Sequence, residues 1–415
     1  MVEGPSPDRR TRLLVLGAGP AQLGLLAAAR KRGLYVVAVD RDADAPGFRY
    51  ADRRAIVSAE DEHGIDRLVE AERVDGLIAP GIDWPVGIAS RVAARRGLPH
   101  PLTPEAGVLA TSKARQRERF AEAGVPQPEY RSCRSFDDAR LAADELGYPC
   151  VVKAPDRQGQ RGISVVRERE GLEPAVVAAL EVSRSGGFLI EELVEGQEVT
   201  VNAFLVGGRF NALTITDRHL ARAPAFGVAL GHSWPCAQPT PQIAKAIDAA
   251  RRAAAALGIT DGPTYTQVIV SEEGAVVGEL AARVGGGHDA ELCRAALRVN
   301  LNQAAISAAL GEEVRRNRLA PQARVGGACV RFLVAPPGEL RGVHGLDEAF
   351  AVDGVRGIRV YRRPGHVFGP LRSGSDRAGA ILAVGDSAED ALARADQARR
   401  LIDFETETVG ATASG

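Results

Sequence analysis

The segment "TRLLVLGAGPAQLGLLAAARKRGLYVVAVD", residues 11–40, constrains the fold more than any other part of the chain. The apolar run Leu13–Leu16 reads as a buried strand. Gly17 and Gly19 permit a tight turn, Ala21–Arg30 has helical character, and Val36–Val39 is a second strand that ends at Asp40. Strands joined in this way lie parallel, with the helix as the crossover between them. "RAIVSA" and "DGLIAPG" repeat the strand signal with helical stretches between, so the chain opens on an α/β unit. That unit closes near Pro99–Pro104, where "GLPHPLTPEA" is rich in breakers.

At 415 residues the chain exceeds what one core organises, and two to four domains are expected. After the first unit the pattern becomes mixed α+β. "TSKARQRERFAEAGVPQPEY" holds a helix and an extended Pro segment. A helix "SFDDARLAADELG" and the strands "PCVVKAP" and "ISVVRE" follow, the strands separated by the loop "DRQGQRG". "GFLIEELVEGQEVTVNAFLVGGRF" reads as two strands joined through a Glu-rich bend. The helix "PQIAKAIDAARRAAAALG" precedes the hairpin "TYTQVIVSEEGAVVGEL", and one helix, "AELCRAALRVNLNQAAISAALG", closes the region. From about Ala320 short strands ("GACVRFLVAP", "IRVYRRP", "GAILAVG") and the helix "SAEDALARADQARRLI" follow. The terminal "TVGATASG" is expected to be disordered.

Composition excludes several classes. A net charge of -1 is unlike a general nucleic-acid binder, whose phosphate-tracking surface leaves a basic excess. No apolar run approaches the roughly 20 residues that span a bilayer, and the polar N-terminus lacks the apolar core of a signal peptide. The five cysteines, odd in number and never in a CxxC pair, fit reduced cytosolic thiols. A cytoplasmic protein without membrane or nucleic-acid partners is expected.

Four stretches could carry chemistry. "GAGPAQLG" sits where a pyrophosphate could rest on a helix N-terminus, with Asp40 on a ribose. Its spacing departs from G-x-G-x-x-G, however, and a plain strand-to-helix turn without a dinucleotide is the better reading. Lys153 leaves a buried strand just before a loop whose Gly159 and Gly162 free the backbone, and whose Arg157 and Arg161 add positive charge. That combination points to phosphate binding under a lid. In "IEELVEGQEVTV", Glu191, Glu192, Glu195 and Glu198 form either a solvated acidic bend or a nucleotide site. Finally, Gln267 and Glu279 flank the turn "SEEG" and should lie side by side across a hairpin, where two oxygen ligands could hold Mg²⁺. Arg283 could then pair with a phosphoryl group; the bland alternative is a surface ion pair between Glu279 and Arg283. His288, after three glycines, and Asp83, at the end of a first-unit strand, are further candidate substrate contacts.

Lys113 with "VVKAPDRQGQRG", "IEELVEGQEVTV" and "GELAARVGGGH", in this order and at these separations, resembles the ATP-grasp superfamily. The likeness is to carboxylate–amine ligases related to the carbamoyl-phosphate synthase large chain and to L-amino acid ligases. It implies three parts: a Rossmann-like pre-ATP-grasp domain (1–108), a split ATP-grasp domain (109–319), and a C-terminal α+β domain (320–407) like that of biotin carboxylase, with a tail at 408–415. It further implies that ATP and Mg²⁺ are bound. Lys113 and Lys153 match the phosphate-holding lysines, and Gly159 and Gly162 the lid. Glu191, Glu192, Leu193 and Val194 match the adenine-reading hinge, and Glu198 the ribose glutamate. Glu279 matches the main magnesium ligand and Arg283 the arginine that stabilises an acyl phosphate. Two positions depart from the pattern: Gln267 replaces an acidic ligand, and Ala281 an asparagine. The implied activity joins a small-molecule carboxylate to an amine, with amino acids as substrates and a homodimer as a possible assembly. Alternatives are a carboxyphosphate-forming carboxylase of the biotin carboxylase or purine type, an ATP-binding protein without turnover, and an NAD-dependent oxidoreductase built on "GAGPAQLG".

Overall fold

The computed structural model describes residues 9–159, 161–222, 225 and 227–408. The tail expected to be disordered therefore lies, from residue 409, outside the described residues. The first unit is a four-stranded parallel sheet in the order Arg53–Ile56, Tyr35–Asp40, Arg12–Leu16, Gly76–Ile78. Leu13–Leu16 and Val36–Val39 are fully buried, which is why these strands are apolar at every position rather than at alternate ones. Gly17 adopts φ 97° and donates from its N–H to Val39 O at 2.8 Å. Only glycine takes that angle without strain. The Asp40 carboxylate accepts from the backbone N–H groups of Ala18 (2.8 Å) and Asp42 (3.0 Å).

Two further sheets build the middle of the molecule. A four-stranded antiparallel sheet runs Tyr130–Cys133, Phe188–Glu192, Cys150–Lys153, Ile163–Val166, backed by helices Phe136–Leu146 and Leu172–Val182. An eight-stranded sheet runs Ala275–Ala281, Gly262–Val270, Gln197–Val206, Arg209–Leu220, Ala229–Trp234, Gly327–Leu333, Gly379–Gly385, Val355–Val360. The Glu-rich bend passes the chain from one sheet to the other, since Phe188–Glu192 belongs to the first and Gln197–Val206 to the second. The larger sheet also crosses residue 320, because Ala229–Trp234 pairs with Gly327–Leu333. Strands Val367–Phe368, Gly338–His344 and Asp403–Glu407 make a separate small sheet.

Around strands Gly262–Val270, Gln197–Val206 and Arg209–Leu220, one face of the eight-stranded sheet is largely apolar and the other polar. Val199, Val201, Val268 and Val270 pack under helix Thr240–Ala256 through Ala246 and Ala250. On the other face the register sets Thr200 beside Thr216 and Gln267, and Asn202 beside Thr214 and Tyr265. A buried polar sheet face is costly unless something pairs with it, and it forms the floor of the cleft described below.

The helix expected over 290–311 is two helices, Asp289–Leu297 and Leu301–Ala309. Arg298 takes the left-handed conformation at φ 58°, and Asn300 caps the second helix by accepting from Gln303 N at 3.2 Å. Continuous apolar periodicity does not register such a break, because both helices bury the same kind of face.

Candidate active site

Helix Lys113–Glu122 organises the site, although most of its residues are polar. Its buried side chains are Lys113, Gln116, Arg117 and Phe120, a one-face spacing. The Gln116 side chain donates to Leu280 O at 2.8 Å and accepts from Leu280 N at 3.0 Å, tying the helix to strand Ala275–Ala281. Arg117 donates to Val277 O (2.9 Å) and Gly278 O (2.7 Å) on that strand. It also forks onto Glu191 of the other sheet, at 2.7 Å and 3.2 Å. One arginine thus clamps both lobes.

Glu191 is shared. Lys153 Nζ lies 2.6 Å from its second oxygen. Burial pushes the Glu191 carboxyl up, but Arg117 and Lys153 outweigh it and hold the group down to about 2. Burial lowers Lys153 to about 8 despite Glu191 beside it, with Arg117 and Lys113 adding to the lowering. The Glu191 side chain is committed to these partners, so it offers a nucleotide only its backbone. Glu192 bonds Glu129 through both its backbone N–H and its carboxylate, each at 3.0 Å. Leu193 and Val194 are half-buried. Glu198 Oε2 stands 3.1 Å from Arg218 Nε without hydrogen-bond alignment, and both atoms are buried and unpartnered.

Gln267 and Glu279 are direct cross-strand partners. Lys113 Nζ reaches Glu279 Oε2 at 3.1 Å and donates to Arg157 O at 2.6 Å, which anchors the glycine loop. Burial raises the Glu279 carboxyl, while Lys113 first and then Lys153 and Arg283 bring it below the usual range. Arg283 makes no surface pair with Glu279. It is buried, faces Tyr265 at 5.2 Å, and holds Asp83 Oδ1 through Nε (2.8 Å) and its terminal nitrogen (2.7 Å). Asp83 comes from the first unit, and its backbone N–H donates to Gln158 of the glycine loop at 2.5 Å.

The glycines after Arg283 are set by close packing rather than slackness. A Cβ on Gly286 would sit 2.9 Å from Gly81 O, one on Gly287 would meet His232 at 2.7 Å, and one on Gly285 would collide with Asp289. The loop is where the first unit and the large sheet touch, and Gly81 N donates to Val284 O at 3.2 Å.

A cavity of about 470 Å³ gathers Lys113, Gly159, Gln267, Glu279, Arg283 and Asp83 along its wall. Gly17, Gly19 and Asp40 also reach it, with Asp40 already spent on backbone donors. Lys153, Glu191–Val194 and Glu198 do not line it. Gly162 does not either: it packs where a Cβ would strike Val182. His288 lies behind the wall, buried, with Nε2 2.5 Å from Tyr361 Oη. Burial lowers its imidazole to about 4, so it is neutral. It opens instead on a second groove with Glu291 and Arg359.

Arg117, Arg218, Tyr265 and Arg377 were not singled out from sequence. Arg117 had a signal, four residues after Lys113 on one helical face. Arg218 had another, in the alternation Thr214, Thr216, Arg218 along one face of strand Arg209–Leu220. Arg377 had none.

Magnesium would meet one carboxylate and one amide here. Among the described residues no group of three or more His, Cys, Asp or Glu is arranged to hold a metal. That donor set suits Mg²⁺ held mainly by phosphates and water, and Glu279 and Gln267 fit it on those terms.

Comparison with known proteins places two domain families along the chain. The model of the ATP-grasp domain matches residues 146–291, and that of the L-amino acid ligase C-terminal domain 2 matches residues 331–407. The uncharacterized protein y4rH of Sinorhizobium fredii is 32% identical over 314 residues, spanning 74% of this chain and 63% of its own length. A formate-dependent phosphoribosylglycinamide formyltransferase of Burkholderia thailandensis is 28% identical over 417 residues, 95% of each chain. The crystal structure of the L-amino acid ligase from Bacillus licheniformis superposes with a TM-score of 0.81 at 20% identity, covering 97% of this chain and 100% of that one. The chain thus carries an ATP-grasp domain at residues 146–291, followed by an L-amino acid ligase C-terminal domain 2 at residues 331–407.

Proposed function

We propose that the protein is an ATP-dependent carboxylate–amine ligase forming ADP and phosphate, with amino acids as substrates. A carboxylate oxygen attacks the γ-phosphorus of ATP and ADP leaves, giving an acyl phosphate. The amine then attacks the acyl carbon, loses its proton and displaces phosphate, leaving an amide. The observation that carries this reading is the meeting of Lys113, Glu279, Gln267 and Arg283 at one cleft, with Asp83 of the first unit orienting Arg283.

In this reading the chain supplies position and charge. Lys113 and Lys153 hold phosphates, the backbone of Glu191–Val194 borders adenine, and Glu198 reaches the ribose. Glu279 and Gln267 hold magnesium, which would neutralise charge on the phosphates when bound. Arg283 is held through Asp83 so that its remaining N–H groups can meet charge arising on the phosphoryl group. The loop through Gly159 closes the cleft, its Gln158 touching the first unit. We assign 1–108, 109–319 and 320–407 as the three domains, the last two sharing a sheet. No helix among the described residues is long and apolar enough to cross a membrane, and the five cysteines are free and buried; cytoplasmic residence and a homodimer complete the proposal.

Phosphate release with ATP, magnesium and amino acids singly and in pairs tests it. Release only with a pair supports the ligase. A second reading, in which the amine carries a phosphate, is motivated by the formyltransferase relative. Release with formate and a phosphorylated amine, but with no amino-acid pair, would favour it.

A further inference from the structure

The C-terminal domain sends into the cleft a cation that has no counter-ion among the described residues. Arg377 lines the cavity together with Ser373, Gly374 and Ser375. Its guanidinium lies over the Phe332 ring at 3.7 Å from the centroid, and its Nε is buried without a hydrogen-bond partner. The carboxylate next to it in sequence is already used. Asp376 accepts from Arg372 N (2.9 Å), Ser373 N (2.7 Å) and Ser373 Oγ (3.0 Å), closing its own turn. Of the other arginines that line the cavity, Arg218, Arg283 and Arg184 each face an acid (Glu198, Asp83 and Glu60), while Arg41 belongs to the first unit and Arg157 and Arg161 to the glycine loop. Among the described residues no carboxylate lies within salt-bridge distance of Arg377. Burial, aided by Arg218, lowers its guanidinium to about 10 even with Tyr361, Tyr265 and Asp289 nearby.

Arg377 is half-buried, and a partly desolvated guanidinium without a carboxylate partner is costly, a cost that an anion would relieve. A planar fork on an aromatic face is suited to receiving two oxygens at once. The nucleotide phosphates are assigned to Lys113 and Lys153, on a helix and a strand of the ATP-grasp domain, whereas Arg377 enters from the C-terminal side with Phe332 and Tyr361. Resting on the ligase reading above, we infer that Arg377 binds the free carboxylate of the amine-bearing amino acid and so selects it against a simple amine. The C-terminal domain then selects the acceptor while the ATP-grasp domain activates the donor.

The test uses the full chain and steady-state phosphate release with the amino-acid pair that the panel above identifies. Arg377→Met keeps a stem over Phe332, and its fold is checked by thermal melting. The variant should raise KM for the acceptor amino acid at least tenfold, the loss of one charge-assisted contact. KM for ATP and for the donor should stay within about twofold. The native protein should use the acceptor as its carboxamide at least tenfold less well, and Arg377→Met should lose that preference. Arg377→Lys should recover part of the affinity. An acceptor KM unchanged in Arg377→Met, a rise confined to the donor, or equal native use of acid and amide would overturn the inference. So would a native preference for phosphoethanolamine over the amino acid, which would make the anion a phosphate. If no amino-acid pair stimulates the native protein, the ligase reading itself fails, a result distinct from any of these.

Discussion

Lys153 and Arg283 are both buried cations with one carboxylate neighbour, yet they should fail differently. Lys153 faces a carboxylate held by two cations, so its removal leaves Glu191 still paired with Arg117. Lys153→Ala is therefore expected to weaken ATP binding at least tenfold, about 1.4 kcal/mol, with the protein still folded; calorimetry checks this. Its value of about 8, below the ordinary 10.5, adds a pH dependence. Between those values the folded protein has shed a proton that the unfolded chain keeps, so this group's contribution to stability rises with pH across the window. Phosphate affinity moves the other way, falling as pH rises through about 8. ATP affinity that stays flat from about pH 7 to about pH 9 would contradict the assignment. Arg283→Met should lower kcat roughly a hundredfold or more while leaving ATP affinity nearly unchanged, since its role begins as the phosphoryl group moves. Glu279→Gln should remove most turnover, and Gln267→Glu should lower the magnesium concentration for half-maximal rate. Folded Glu279→Gln and Arg283→Met variants that turn over within two- or threefold of the parent would remove both roles.

At the scale of elements, helix Lys113–Glu122 is a strut between two sheets. Arg117 bonds a strand of each, and its partner Glu191 is 5% exposed, so solvent cannot replace it. Arg117→Met should cost about 3–5 kcal/mol, because it removes one side of a buried ion pair and leaves two carbonyls unpaired. Urea denaturation measures this, and a loss below about 1 kcal/mol would mean that the clamp is redundant. The cost should also grow as pH rises from about 2 to about 5. Glu191 is held near 2 when folded, so its pairing stabilises the fold above the ordinary carboxyl value and is lost as pH falls.

At the scale of the whole molecule, three polypeptide regions share one cleft, and the contact of Gly286 with Gly81 sets how closely they approach. Gly286→Ala should push the first unit off the large sheet and carry Asp83 away from Arg283. We expect a loss of about 1–3 kcal/mol, as for overpacking elsewhere, together with a fall in kcat larger than the change in ATP affinity. A variant with native stability and native kcat would show that the approach is not rigid.

What was legible in the sequence is what short-range pattern encodes. The parallel strands around Gly17, the hairpin that sets Gln267 against Glu279, and the bend after Glu192 all follow from periodicity and turn residues within a few positions. The identity of the family was legible too, because its motifs keep their order along the chain. Partners distant in sequence were not. Arg283 answers to Asp83, Arg117 to Glu191, and Arg377 to no acid among the described residues. Each of these relations among the described residues depends on which loops and strands meet in space, and neither spacing nor composition carries that information. The glycine run had the same limit: its sequence reads as freedom of the backbone, and only the neighbouring loop shows that those positions are small because another chain segment fills the space.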